Sequence, residues 1–307
     1  MSQFDWDKLA DGLSGEEARY ALKLKKRLGG LETQKKRQDE FMPFVKHMWP
    51  DFIEGEHHKI FAKQLEAVAH GKSKRLIVNM PPRHTKSEFA SVYFPAWMMG
   101  RNPKLKIIQA THTTELATGF GRKCKAVVNS PPFQESFPEV KISPESQAAG
   151  RWNTVDGGEY FAAGVGAAIT GRGADLLIID DPHSEQDALS STSFEACYEW
   201  YTSGPRQRLQ PGGSIVIVMT RWSTKDLTAE VLKAQSRKGA DQWEVIEFPA
   251  IFEDDSVLWP GFWSRDELEG VKSSLPVSKW SAQWLQKPTS DAASILKREW
   301  WKKWEHD

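Results

Sequence analysis

The sequence predicts an α/β domain built on a largely parallel β-sheet that is covered by helices. Strand-like and helix-like segments alternate between about residues 75 and 250, which is the order such folds produce. Two strand-like runs, DLLII and IVIVM, are almost wholly apolar, as expected of strands buried on both faces of a sheet. The chain has 307 residues, enough for one large domain with appendages or for two modest domains.

The individual elements follow from capping signals and from apolar patterns. A first helix begins at Ser14, where Glu17 completes a capping box, and Gly29-Gly30 predicts its end. Further helices are predicted at 31–48 and 57–69. Strands are predicted at 75–80, 105–110, 158–163, 175–180, 213–219 and 243–248. The helices between these strands are predicted at 87–99, 114–129, 190–202 and 225–238.

The same signals divide the chain into four segments. Residues 1–55 form a helical N-terminal arm, and residues 56–250 form the α/β core. Beyond residue 250 the sequence becomes rich in loops and tryptophan, which predicts a small cap or lid subdomain at 251–290. Residues 291–307 are predicted to be a linker.

Composition limits the cellular setting more than the partners. Hydrophobic and charged contents of 39% and 27% are ordinary for a globular protein. Lys+Arg and Asp+Glu are equal at 41 each, so net charge alone does not indicate a nucleic-acid partner. Cys124 and Cys197 match no metal or redox spacing, which favours a reducing compartment. Without a signal peptide or an apolar run of ~20 residues, we expect a soluble intracellular protein.

Basic residues are nevertheless concentrated in two segments. One lies between Arg19 and Arg37, where Glu32 is the single acidic residue. The other, at 297–304, combines Lys and Arg with Trp. Each is explained either by a solvated helix face or by electrostatic contact with nucleic acid or a protein partner, and composition does not decide between them.

The stretch RLIVNMPPRHTKSEF at 75–89 has the plan of a phosphate-binding loop: a strand, a tight basic turn and a helix. The fixed positions of G-x-x-x-x-G-K-[ST] fall on Met80, Thr85, Lys86 and Ser87, so only the last two match. Lys86 would reach the β- and γ-phosphates, and the Ser87 hydroxyl would bind Mg²⁺. The alternative is an ordinary helix N-terminus with a solvated lysine.

Two further strand ends carry polar residues. The strand at 175–180 delivers Asp180 and Asp181 at its carboxyl end, the edge at which ligands of parallel sheets bind. There Asp180 would hold Mg²⁺ through water, and Asp181 would polarise an attacking water. Thr220 ends the run IVIVMT and would sense the γ-phosphate. The alternatives are a helix cap for the aspartates and an exposed strand end for Thr220.

Taken together, PPRHTKSEF, LLIIDDP and IVMTRWS resemble the ATPase domain of the large terminase subunit of tailed bacteriophages, over roughly residues 40–300. The resemblance implies a P-loop NTPase fold of the RecA-like type and a motor that packages double-stranded viral DNA into a preformed capsid through the portal. It implies ATP and Mg²⁺ as cofactors.

The resemblance also assigns roles to residues. It implies that the nucleotide contacts the loop formed by Pro82, Arg83, His84, Thr85, Lys86 and Ser87. It implies metal binding by Ser87 and Asp180, catalysis by Asp181 with Arg83 acting in the same subunit, and coupling of hydrolysis to movement by Thr220. Arg172 stands where the family places an arginine that acts on a neighbouring subunit, with loop solubility as its alternative and Arg151 as the fallback. Asp181 departs from the family, because many members have a glutamate there.

The adenine pocket is less well defined by the sequence. The family usually places a glutamine motif or an aromatic ahead of the phosphate loop, where this chain has Glu56, His57 and His58, followed by Phe61 and Gln64. Adjacent histidines diverge on a helix, so we interpret them as pocket-lining or surface residues rather than as metal ligands.

As partners, the resemblance implies double-stranded DNA, the portal protein, the small terminase subunit and a ring of five copies, acting in the host cytoplasm at the portal. Large terminases normally also contain an RNase H-like nuclease, and we expect this chain to lack it, as an excised domain or a naturally split protein. A tandem helicase would need a second domain of ~150 residues. A kinase fits paired aspartates less well. The non-enzymatic alternative is a DNA- or portal-binding module with a degenerate nucleotide site.

Overall fold

The computed structural model describes residues 14–146, 148–169 and 171–289. Within them, seven strands form one sheet in the order β3-β4-β2-β5-β6-β1-β7. Neighbouring strands are parallel except β3 and β4, which are antiparallel. The predicted fold class is therefore confirmed. The strands are β1 (Arg75–Asn79), β2 (Lys106–Thr111), β3 (Arg151–Asn153), β4 (Glu159–Gly164), β5 (Ala174–Asp180), β6 (Leu209–Met219) and β7 (Glu244–Glu247).

Helices flank the sheet on both faces. They are α1 (Gly15–Asp39), α2 (Phe41–Met48), α3 (Glu56–Ala69), α4 (Phe94–Arg101), α5 (Thr114–Val128), α6 (Pro131–Ser136), α7 (Ser191–Ser203), α8 (Leu227–Ala234), α9 (Arg265–Ser274) and α10 (Val277–Lys279). Two π-helical segments, Glu88–Tyr93 and Trp280–Trp284, adjoin α4 and α10. Short 3-10 turns at Asp187–Leu189 and Pro205–Arg208 precede α7 and β6.

The core lies on both sides of the sheet because successive strand side chains point to opposite faces. Val78, Ile178 and Val218 face the side covered by α2 to α6. Ile77 and Ile217 face the side covered by α7 and α8. All five side chains are fully buried. Each contributes roughly 1.5–3 kcal/mol through burial. Because both faces of the sheet are buried, these strands are continuous apolar runs, and the sequence could therefore predict them.

The N-terminal helix corrects one prediction. α1 is a single helix that continues through Gly29 and Gly30, so the predicted end there is wrong. Its start is as expected, with the Ser14 N–H donating to Glu17 Oε2 at 2.9 Å. Its last turns are held by tertiary contacts, since Gln38 Nε2 donates to the Ser136 carbonyl at 2.7 Å. These contacts outweigh the cost of about 1 kcal/mol for each interior glycine.

The segment predicted as an arm is not uniform. Phe41, Phe44 and Val45 of α2 are fully buried in the main core, and Phe41 makes an edge-to-face contact with Phe89 at 5.6 Å. In the terminal parts, residues 1–13 of the arm, the linker at 291–307 and the basic cluster at 297–304 lie outside the described residues.

After β7, Leu268, Trp280 and Trp284 pack around Ala250 in a separate hydrophobic cluster. This cluster occupies the segment predicted as the cap, and the division of the chain into domains stays a prediction. In the part of the chain that the structure describes, no helix is long and apolar enough to cross a membrane.

Candidate nucleotide-binding site

The connection from β1 to the next helix is a tight loop in an uncommon backbone conformation. Arg83 and Thr85 adopt φ angles of 60° and 66°, in the left-handed region that favours glycine. Such conformations cost of order 1–3 kcal/mol each and persist where the surroundings enforce them. The loop thus adopts glycine-like geometry without glycine, which the sequence did not reveal.

Hydrogen bonds from α3 hold Thr85 in this conformation. His58 accepts the Gly55 N–H at its Nδ1 (2.8 Å), so its Nε2 carries the proton and donates to Thr85 Oγ1 at 2.6 Å. Thr85 Oγ1 in turn donates to the His84 carbonyl at 2.6 Å. Burial lowers the pKa of His58 to about 2, with further lowering by His57 and His84, so its neutral form is stable. His57 and His58 are buried, which makes their interpretation as surface residues wrong.

The His84 side chain points into the protein. Its Nδ1 donates to the Pro82 carbonyl at 2.8 Å, and its ring stacks on Trp263 with centroids 6.1 Å apart. Burial, more than the nearby charge of Lys86, lowers the pKa of His84 to about 4. His84 is fully buried, so its imidazole is not available to a ligand at the surface of the loop.

Lys86 and Asp181 form an ion pair across the sheet edge. Lys86 Nζ lies 2.8 Å from Asp181 Oδ2, with 7% of the lysine side chain and 29% of the aspartate side chain exposed. Asp181 Oδ1 accepts the Thr220 N–H at 2.8 Å, and Thr220 Oγ1 donates to the Met80 carbonyl at 3.2 Å. Asp181 itself has a φ of 40°. The tips of β5 and β6 and the start of the loop are thus connected through Asp181 and Thr220.

Asp180 lies below this pair and is fully buried. Ser87 Oγ donates to Asp180 Oδ1 at 3.1 Å, and Ser91 Oγ donates to Asp180 Oδ2 at 2.7 Å. Burial and the charge of Asp181 raise the pKa of Asp180 to about 7, against the lowering effect of Lys86 and the two hydroxyls. A cation beside Asp180 would relieve this unfavourable burial of a carboxylate.

The oxygen donors here fit a magnesium ion. Mg²⁺ prefers oxygen ligands and is usually bound through one or two carboxylates, waters and substrate phosphates. Ser87 Oγ and Asp180 Oδ1 supply hard oxygens 3.1 Å apart at the start of the helix. Within the described residues no group of three or more His, Cys, Asp or Glu could hold a metal by itself. Phosphate and water would have to complete the coordination.

The two predicted catalytic arginines lie in different places. Arg83 is exposed on the loop and borders a cavity of about 650 Å³ that is also lined by Trp49, Phe52 and Tyr93. Arg172 precedes β5, so the seven residues of that strand separate it by roughly 20 Å from Asp180. It pairs with Glu159 and stacks on Phe161, with its guanidinium carbon 4.1 Å from the ring centre. The structure does not bring Arg172 to the loop of its own chain.

The fallback candidate, Arg151, shares the partner of Arg172. Its Nε lies 3.1 Å from Glu159 Oε1, at the same sheet edge. Both arginines are therefore remote from Lys86 within one chain.

Sequence reasoning missed the role of Arg221, which follows Thr220. Its buried guanidinium pairs with Asp226 at 2.9 Å and with Glu247 at 3.3 Å. The backbone N–H of Arg221 donates to Gln286 Oε1 at 3.1 Å. These contacts connect the tip of β6 to the start of α8, to β7 and to the residues that follow Trp284. An arginine beside a strand end gave no sign of these partners. Ser91 was missed for the same reason, since no motif marks it.

The solved structures that are similar to this chain include large terminases of bacteriophages. The chain is similar to the HK97 bacteriophage large terminase, with 15% identity and a TM-score of 0.49 over 75% of this chain and 50% of that one. It is similar to the ATPase domain of the Thermus phage P74-26 large terminase, with 17% identity and a TM-score of 0.47 over 72% and 90% of the two chains.

A third similar structure is the large terminase of a thermophilic bacteriophage in complex with ATP-gamma-S. Its identity is 10% and its TM-score 0.42, over 73% of this chain and 52% of that one. The chain therefore spans about half the length of the HK97 protein and of this third terminase. No protein-family model and no curated protein sequence matches it.

Proposed function

We propose that this chain is the ATP-hydrolysing motor domain of a viral DNA-packaging terminase. One observation carries the proposal: Lys86, Ser87, Asp180 and Asp181 meet at the carboxyl edge of a parallel sheet. A lysine and a hydroxyl at a helix start, facing two carboxylates, are the groups with which P-loop enzymes bind and hydrolyse a nucleoside triphosphate. The strained loop conformation at Arg83 and Thr85 supports a functional role for this segment.

In the proposed mechanism, nucleotide binding separates the Lys86–Asp181 pair. Lys86 turns to the β- and γ-phosphates, while backbone N–H groups at the start of the helix hold the phosphate oxygens. Asp181, released from the lysine, accepts a hydrogen bond from the attacking water and orients it towards the γ-phosphorus. The bond from the Thr220 N–H keeps the Asp181 carboxylate in place during this exchange.

A magnesium ion, when bound at Ser87 and Asp180, would neutralise charge on the β- and γ-phosphates. The remaining work belongs to the chain itself. Arg83, exposed at the top of the loop, stabilises the charge that develops on the transferring phosphoryl group. The adenine of the nucleotide would lie in the aromatic cavity beside Arg83, where Trp49 and Tyr93 offer stacking surfaces.

Coupling to movement would run through Thr220. Because its backbone holds Asp181 and its hydroxyl holds the Met80 carbonyl, a change at the γ-phosphate site reaches both the loop and the tip of β6. Arg172 would act only on the nucleotide of a neighbouring copy, after leaving Glu159. This requires an assembly, for which we propose a ring of five copies on the portal, with double-stranded DNA and the small terminase subunit as further partners in the host cytoplasm.

The basic segment of α1 is a candidate for DNA or portal contact. Charge reversal at Lys25, Lys26 and Arg27 is expected to reduce binding to one of these partners. Binding of both partners at wild-type strength would remove α1 from the interface.

The first experiment measures steady-state ATP hydrolysis against protein concentration for the wild type and Lys86→Ala. Lys74→Ala is the matched control, because Lys74 directly precedes β1, at the end of that strand opposite the loop. Activity that rises faster than concentration and is lost only in Lys86→Ala supports an ATPase completed by a neighbouring copy. Activity that is strictly proportional to protein concentration would still support an ATPase but would contradict the action of Arg172 on a neighbouring copy. No hydrolysis and no nucleotide binding by calorimetry would favour the degenerate binding module.

A further inference from the structure

The carboxylate of Asp180 has a second buried partner besides Ser87. Ser91 lies one helical turn after Ser87, in the π-helical segment Glu88–Tyr93, and is fully buried. Residues four apart share one face of a helix, so both hydroxyls reach the same carboxylate. Ser91 forms the shorter of the two bonds, at 2.7 Å against 3.1 Å.

The two hydroxyls divide the carboxylate between them. Ser87 contacts Oδ1, which lies towards the loop and the proposed phosphate site, and Ser91 contacts Oδ2. Among the described residues no cationic side chain pairs with Asp180, and the nearby Lys86 pairs with Asp181. A buried carboxylate without a cation depends on hydrogen bonds for its orientation and for its charge. Because Ser91 donates to Oδ2, its hydrogen bond orients the carboxylate without occupying Oδ1.

Gln109 on β2 supports the direction of this bond. Its Nε2 donates to Ser91 Oγ at 3.4 Å, and both residues are fully buried. With its oxygen facing a donor, the Ser91 hydroxyl directs its hydrogen to Asp180. A π-helical turn at this place is itself unusual, and such turns occur frequently at functional sites.

We propose that Ser91 is a positioning residue that holds Asp180 for a divalent cation at the nucleotide site. The inference rests on the proposed function, since it assumes that nucleotide and Mg²⁺ bind beside Ser87. By anchoring Oδ2, Ser91 stops the carboxylate from rotating away and presents Oδ1 to the cation or to its bound water. Residues that orient metal ligands in this way typically change metal affinity by 10–100-fold when they are removed.

The test measures binding rather than turnover. A fluorescent ATP analogue is titrated into the chain at increasing Mg²⁺, and again in EDTA, for the wild type, Ser91→Ala and Ser91→Thr. Ser136→Ala is the matched control, because Ser136 is an equally buried serine on α6 whose hydroxyl donates to the Pro132 carbonyl at 3.3 Å.

Ser91→Ala is expected to raise the half-saturating Mg²⁺ concentration by about tenfold or more. Affinity in EDTA should stay within about twofold, because the phosphate contacts do not involve Ser91. Ser91→Thr, which keeps the hydroxyl, and Ser136→Ala should resemble the wild type. Should Ser91→Ala fold poorly, Ser91→Cys, whose thiol is a weak donor, is expected to shift the Mg²⁺ dependence in the same direction.

An unchanged Mg²⁺ dependence in Ser91→Ala or Ser91→Cys, in a chain that binds the analogue normally, would overturn the assignment of Ser91 alone. A wild type that binds no analogue at any Mg²⁺ concentration would instead overturn the proposed function together with this inference. An equal shift in Ser136→Ala would mean that the effect is a general loss of stability, and it would also overturn the assignment.

Discussion

Replacing Asp181 by asparagine removes the charge of this side chain but keeps its shape and its ability to accept the hydrogen bond from Thr220. Asparagine tolerates the φ of 40° found at this position. Its side-chain oxygen still accepts the Thr220 N–H that Asp181 now accepts at 2.8 Å. What is lost is the negative charge 2.8 Å from Lys86 Nζ, and with it the ability to take up the proton of an attacking water.

The two consequences have opposite signs. Loss of a positioned base typically lowers the rate by 10²–10⁴-fold, or about 3–5 kcal/mol in the barrier. Nucleotide binding, in contrast, should stay the same or become tighter, because Lys86 no longer has to leave a partner. The pair is partly exposed, with 29% of the Asp181 side chain accessible, so its worth is on the order of 1 kcal/mol. That corresponds to an affinity increase of up to about fivefold.

Single-turnover hydrolysis and equilibrium calorimetry together measure both quantities. Asp175→Asn is the matched control, since Asp175 lies near the other end of β5 and accepts the Lys106 N–H at 2.9 Å. It should leave rate and affinity close to those of the wild type. If Asp181→Asn hydrolyses ATP within about tenfold of the wild-type rate, Asp181 is not the base. If it binds nucleotide more weakly, the Lys86–Asp181 pair does not compete with the phosphates.

Three other predictions concern stability. Gly30→Ala should raise the free energy of unfolding, measured by urea denaturation, by about 1 kcal/mol, because an added Cβ there meets no atom within 4 Å. A decrease would contradict a continuous α1. Arg221→Ala should lower it by about 3–5 kcal/mol, because Asp226 is fully buried, and a loss below about 1 kcal/mol would refute this role. The pKa of His84 is about 4 in the folded chain, below its unfolded value, so its stabilising effect is present above about pH 6.5 and declines as the pH falls towards 4. The free energy of unfolding in urea should therefore change between pH 8 and pH 5 by about 2 kcal/mol less in His84→Asn than in the wild type. Equal changes in the two proteins would count against a neutral, buried His84.

Much of the architecture is local in origin and was visible in the sequence. The strands could be predicted because their apolar runs are continuous, and β6 was only underestimated, at 213–219 against Leu209–Met219. The residues Lys86, Asp180 and Thr220 could be placed together because each lies at or beyond the carboxyl end of a strand, and parallel strands end at one edge. By contrast, β3 was missed because three residues, Arg151–Asn153, carry too short a pattern.

What the sequence alone determined is thus the class of fold and which residues reach the carboxyl edge of the sheet. Tertiary structure decided their partners. Ser91 meets Asp180 across 89 residues of sequence, and Thr220 meets Met80 across 140. Such contacts depend on the strand order, which places β6 between β1 and β5. Periodicity and turn chemistry act over a few residues and carry no information about that order, so they show the strand ends without showing which side chains bond there.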